Sequence, residues 1–215
     1  MITVAEALEA LFALVKPVTA ETVPLRAAAG RVLAETVTAQ RDQPPFDGSA
    51  MDGYALRSDQ AHPGARFRVV GESAAGHGYD GAAGPGEAIR IFTGAPLPAG
   101  TDRVVIQEDV ARQGDTITLG DRLDTGTNVR PAGADFRRGD QMLAPRLLSP
   151  ADLALLASMN VPQVRVGRRP EVALIATGDE LVLPGESPAP DQIIASNTYA
   201  LDALFRSLGA RTRML

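Results

Sequence analysis

Between about residues 56 and 145 the chain never sustains an apolar run long enough for a helix. Segments 67–71, 88–92, 103–110, 116–119 and 141–144 are short and rich in Val, Ile, Phe and Thr, and Gly, Pro and Asp separate them. Punctuation at this spacing fits strands and turns, so the stretch is expected to form a mainly β domain. Helical patterns bracket it. Residues 3–16 open with Thr3 and Glu6 in capping-box spacing, carry Val4, Ala7, Leu8, Leu11, Phe12 and Val15, and stop at Pro17. This predicts an amphipathic helix with one buried face. Ser149 as N-cap, Pro150 at the first helical position and Asp152 in the first turn predict another helix through Met159, with Leu153, Leu156 and Ala157 toward the core. Helices on both sides of a β region predict an inserted domain.

Two further readings complete the outline. Between the first helix and the β region, the pattern predicts an extended piece at 23–25, a weaker helical segment over 27–35 and a β-prone 36–39. Past Arg168-Arg169-Pro170, read as a linker, residues 172–176 form a continuous apolar run, as in a parallel strand covered on both faces. Ser196 is expected to cap a helix carrying Tyr199, Leu201, Leu204, Phe205 and Leu208, with Gly209 ending it and 210–215 starting another strand. Strand, loop, helix, strand is the opening of an α/β fold.

Composition narrows the function. Net charge is −5 with acids and arginines interleaved, which leaves no basic footprint for nucleic acid. The absence of cysteine excludes disulfides and thiolate metal sites. His62 and His77 lie in Gly- and Pro-rich loops without ligand spacing and are expected at the surface. No apolar run approaches the ~20 residues of a membrane span, and no signal-peptide pattern stands at the N-terminus. A cytoplasmic protein with no nucleic-acid or membrane partner is expected.

Candidate chemistry collects in four segments. Residues 41–55 place Asp47 and Asp52 among Pro44, Pro45, Gly48 and Gly53, with almost no regular structure expected. Such a loop suits a metal or proton chemistry, and taken alone it reads first as a turn whose aspartates cap the backbone. Residues 91–100 follow a strand and display Thr93 at its end, and in the next strand alternation sets Glu108 on the face opposite Gln107 and Asp109. Residues 128–135 bring Arg130 and Asp135 into one loop, near Arg137 and Arg138, where guanidinium groups could grip an oxyanion or simply form a surface ion pair. Thr177-Gly178-Asp179-Glu180-Leu181 stands at the carboxyl end of a strand, the edge where open α/β sheets bind ligands. Asp179 and Glu180 could hold Mg²⁺ there or cap the turn, beside Ser196-Asn197 at a helix N-terminus.

In this order, the Pro-Pro-Phe-Asp-Gly-Ser-Ala-Met-Asp-Gly-Tyr-Ala, Ile-Phe-Thr-Gly-Ala-Pro-Leu-Pro-Ala-Gly, Asn-Val-Arg…Gly-Ala-Asp and Ala-Thr-Gly-Asp-Glu-Leu…Ser-Asn segments resemble the molybdopterin molybdenumtransferases, the MoeA and gephyrin E-domain family. The resemblance implies an α/β multidomain protein. An elongated α+β first domain (1–40 and 140–168) would carry an inserted mainly-β second domain (41–139), before the truncated start of a molybdopterin-binding, three-layer α/β domain (169–215). It implies insertion of molybdate into adenylated molybdopterin with Mg²⁺ and release of AMP. A homodimer and a molybdopterin adenylyltransferase partner are implied with it. By motif position the catalytic residues would be Asp52, Thr93, Asp135 and Glu180, with Asp52 and Glu180 on Mg²⁺. Ser49, Arg130, Gly178, Asp179, Ser196 and Asn197 would bind substrate.

Asp47 is read as structural, shaping the loop beside Phe46. Three positions depart from the family pattern: Gly48 replaces a usual Asn, Ala134 a usual acid, and Ala195 a frequent acid. The family's glycine- and serine-rich pterin loop, a later Mg²⁺ acid, a proline-rich molybdate loop and a fourth domain are missing, so this chain alone is expected to be inactive. The alternative is a non-catalytic dimerisation or scaffold module of the same family.

Overall fold

The computed structural model describes residues 2–215 and divides by compactness into two units. Thr38–Asp140 forms one, and the residues up to Val37 together with Gln141–Leu215 form the other.

Thr38–Asp140 is built on a six-stranded sheet in the order Arg103–Ile106, Gly53–Leu56, Glu87–Ile91, Arg66–Ser73, Thr116–Leu119, Val110–Gln113. All pairings are antiparallel except that of Arg66–Ser73 with Glu87–Ile91, whose register shifts between Val69 and Gly71. The second strand organises the core. Its side chains alternate between faces, so Tyr54 and Leu56 join Phe67, Val105, Ile117 and Leu119, while Ala55 joins Ile91, Ala95 and Val104.

The 41–55 segment is therefore more regular than its composition predicts. Gly48–Ser49 pairs with Val129–Arg130, and Gly53–Leu56 is buried throughout. Two Asp-Gly pairs read locally as turns; pairing on both sides makes the end of the segment an interior strand. Glycine is required at 53 by approach rather than by angle, because a Cβ there would lie 2.0 Å from the Val105 carbonyl oxygen. Glu108 is a second correction: Gln107–Asp109 form a 3₁₀ turn, so strand alternation does not apply.

In the other unit, Ala20–Pro24, Gln163–Gly167, Val32–Leu33 and Arg146–Leu147 form an antiparallel sheet in that order. The helix expected over 27–35 is absent. Leu25–Ala27 makes one 3₁₀ turn, Gly30 follows at φ +68°, and Val32–Leu33 pairs as strand. Helix α1, Val4–Leu14, has the expected capping box, yet no residue of it is buried; the apolar stripe is formed and uncovered among the described residues. Helix α2, Pro150–Ser158, closes its box with Ser149 and Asp152 and buries Leu156, whereas Ala157 is exposed.

Beyond the linker, Glu171–Leu174 pairs in parallel with Arg211–Met214, and Leu181–Val182 with Ile193–Ile194. Helix α3, Asn197–Ser207, packs on the first pair. This strand is not covered on both faces: Leu174 is buried but Ile175 is 65% exposed, because one helix covers one side. Ser196 precedes α3 in helical conformation and its side chain makes no cap, while Gly209 does end the helix at φ +88°.

Candidate functional site

The turn before the Gly53–Leu56 strand sets Asp52 against the turn after Glu87–Ile91, which carries Thr93. Antiparallel pairing of Gly53 with Ile91 brings the two turns to one edge. One Asp52 carboxylate oxygen, Oδ1, accepts both the Thr93 N–H and the Thr93 hydroxyl, each at 2.8 Å. The Asp52 carbonyl accepts the Gln107 N–H at 3.0 Å. These bonds hold the carboxyl below the ordinary range: the Thr93 N–H contributes most and its hydroxyl next, with the Arg90 charge adding a smaller part. Asp52 is thus an ionised acid with a fixed orientation.

Thr93 also lines a cavity of about 410 Å³ whose walls include Pro44, Phe46, Ser49, Arg130 and Asp135. Arg130 pairs with Asp135, and both side chains are well exposed, so the contact orients the guanidinium more than it stabilises the fold. The Asp135 backbone is fixed separately, through its N–H to the Gln43 carbonyl at 2.8 Å. Ser49 is buried, and its hydroxyl donates to the Met51 carbonyl at 2.5 Å, so it shapes the wall and its turn. Asp47 accepts the Ala132 N–H at 2.7 Å and braces the loop that carries Arg130. Asp52, Thr93, Ser49, Arg130 and Asp135 therefore gather within one unit.

The remaining candidates belong to the other unit. Ser196 and Asn197 line a cavity of about 260 Å³ with Thr177, Ile175, Leu181 and Ile194. Asp179 and Glu180 lie on the exposed turn between Thr177 and Leu181, after Gly178 at φ +147°. That turn is held by its backbone: the Leu181 N–H reaches the Gly178 carbonyl at 3.1 Å, and the Ile193 N–H reaches the Glu180 carbonyl at 2.7 Å. Among the described residues no group of three His, Asp or Glu side chains is placed to hold a metal. His62 and His77 are exposed, as expected.

A profile of the MoeA N-terminal region (domain I and II) matches residues 2–160. The chain belongs to the MoeA family. Its relatives include the molybdopterin molybdenumtransferases of Nostoc sp., 42% identical over 88% of this chain and 45% of the relative, and of Haemophilus influenzae, 37% identical over 89% and 48%. A third, from Staphylococcus aureus, is 33% identical over 97% of this chain and 51% of its own. Two crystal structures of a molybdopterin biosynthesis MoeA protein from Pyrococcus horikoshii superpose over the full length, at 32% identity and TM-scores of 0.85 and 0.89. They match over 56% and 59% of those chains. The chain thus has a MoeA-like α/β fold and spans about half the length of the curated relatives it matches. Those relatives are transferases of molybdenum cofactor biosynthesis. No described helix is long and apolar enough to cross a membrane.

Sequence reasoning missed one contributor, Arg90. Its signal was present as a lone arginine inside the apolar 88–92 strand.

Proposed function

We propose that the protein containing this chain inserts molybdate into adenylated molybdopterin, with Mg²⁺ and release of AMP. It would work in the cytoplasm as a homodimer supplied by a molybdopterin adenylyltransferase. One observation carries the reading within a family already established: the Asp52–Thr93 pair at the edge of a cavity that also holds Arg130 and Asp135.

Each residue has a task that its surroundings support. Asp52 stays ionised, and the Thr93 hydroxyl, by donating to it, leaves its own oxygen able to accept a hydrogen bond from water or a protonated substrate oxygen. Arg130 offers a planar cation to the molybdate oxyanion, and Asp135 keeps that cation oriented. Ser49 forms the wall. Gly178, Asp179, Ser196 and Asn197 are assigned to the pterin substrate.

The donor chemistry fits Mg²⁺, which takes one or two protein carboxylates and completes its shell with water and phosphate oxygens. Asp52 has one oxygen engaged by Thr93 and needs to offer a single oxygen; Glu180, in the other unit, is a separate candidate acid for Mg²⁺. When bound, Mg²⁺ would neutralise phosphate charge and favour departure of AMP.

The test is molybdenum incorporation and AMP release by the complete protein, its Thr93→Val variant and the 215-residue chain, side by side. Thr93→Val is expected to slow the complete protein by roughly 10²-fold, as loss of one preorganised hydrogen-bonding group does. The chain alone, about half the length of its relatives, is expected to insert none. A Thr93→Val enzyme at the wild-type rate would overturn the assignment.

A further inference from the structure

Behind the Asp52–Thr93 contact, on the Glu87–Ile91 strand, lies Arg90, which touches every segment that builds the pair. One terminal nitrogen, Nη1, donates at 3.2 Å to the carbonyl of Gly53, the residue immediately after Asp52. The other, Nη2, donates to Gln107 Oε1 at 2.6 Å, and the Gln107 N–H in turn holds the Asp52 carbonyl. The guanidinium carbon sits 4.7 Å from the ring centre of Phe92, the residue before Thr93, and 5.1 Å from that of Tyr54. Asp52, Thr93 and Gln107 come from three separate segments that strand pairing sets side by side, with Gly53 opposite both Ile91 and Ile106; the turns themselves extend past the paired positions. Arg90 is partly buried and cross-links all three with a planar fork and a stacked face, a combination lysine cannot reproduce.

We propose that Arg90 is the positioning residue of this site. Strand pairing brings the Asp52 turn and the Thr93 turn to one edge; Arg90 braces them there at bonding distance, and it acts on the reaction through that pair. The inference deepens the proposed function and rests on it for its kinetic consequence, though not for its geometric one.

The geometric arm reads the Thr93 amide, whose N–H is bonded to Asp52. In the full chain, hydrogen exchange at Thr93 is expected to rise at least about tenfold in Arg90→Met and Arg90→Lys, while the core amides of Val104 and Leu119 keep their protection. Unchanged Thr93 exchange in these variants would overturn the proposal. Should Arg90→Met also lose core protection, Gln107→Ala decides. It keeps the backbone N–H and removes one partner of the fork, so a faster Thr93 exchange supports the proposal and an unchanged one refutes it.

The kinetic arm uses the complete protein. Arg90→Lys is expected to lower kcat by about 10- to 100-fold with KM within about twofold, the pattern of a misplaced reacting group. In the Thr93→Val background the same change is expected to add almost nothing, and independent, multiplying losses would refute action through the pair. If the proposed reaction is wrong, the kinetic arm has no activity to lose while the Thr93 exchange result still stands, so the two failures are distinguishable.

Discussion

Asp52 and Glu180 each sit in a short turn beside a strand, and they are held by opposite means. The Asp52 carboxylate is tied to a residue 41 positions away, and its peptide is clamped by Gln107 from a third segment. The Glu180 turn is fixed by its backbone, with one bond inside the turn and one to Ile193. A carboxylate bonded across the fold keeps its charge and direction before any ligand arrives, at the expense of adaptability. A turn fixed through its backbone presents its acid and leaves the side chain to be oriented by what binds. In the proposed reaction the first would be preorganised, and the second suited to following a substrate.

Substitutions can break or sharpen that contrast. The largest effect is expected for Asp52→Asn, which keeps the shape and removes the charge: insertion by the complete protein should fall by roughly 10²- to 10³-fold. A rate near wild type would remove Asp52 from the chemistry. Next comes Gly53→Ala. Its Cβ would meet the Val105 carbonyl oxygen, so the strand that follows Asp52 must move, with a stability loss of roughly 3 kcal/mol. Calorimetry showing an unchanged unfolding temperature would mean that the strand pair is looser than described.

Glu180→Gln should behave differently from both. A loss of about tenfold in insertion rate is expected, with no change in unfolding temperature and no change in Thr93 amide exchange. Full activity would withdraw Glu180 from the site.

The smallest effect concerns an acid with a purely structural role. Asp152 is bonded first by the Ser149 hydroxyl and N–H and then by Arg146, and these hold its carboxyl at about 2, down from 3.8. A lowered value means the stabilisation is complete above about pH 5, well clear of the unfolded value, and is lost as the pH falls through 3.8 toward about 2. The difference in unfolding temperature between wild type and Asp152→Asn should therefore be constant from neutral pH to about pH 5 and shrink below it. A gap that stays constant to pH 2 would contradict the ionised cap.

Much of this molecule was legible locally. Thr3 with Glu6 and Ser149 with Asp152 announced their capping boxes, Gly209 its helix end, and the segment 116–119 its strand, because each depends on neighbours within one turn or on strict alternation. The failures share a cause. Residues 27–35 carried helix-forming side chains, yet Gly30 and a sheet partner decided for strand; Ser196 stood where a cap belongs and made none. For the site, Asp52 and Thr93 were identifiable as candidates from order and spacing, whereas the bond between them and the role of Arg90 were not.

The sequence by itself determined the punctuation of the chain, the residues able to carry charge, and membership of a family, since these depend on residue type and linear spacing. The tertiary structure alone decided that a Gly- and Asp-rich segment becomes an interior strand of a sheet, and which acid is locked and which is merely displayed. Those outcomes depend on pairing between segments tens of residues apart. Burial and hydrogen bonding then act on groups whose own neighbours in sequence say nothing about them.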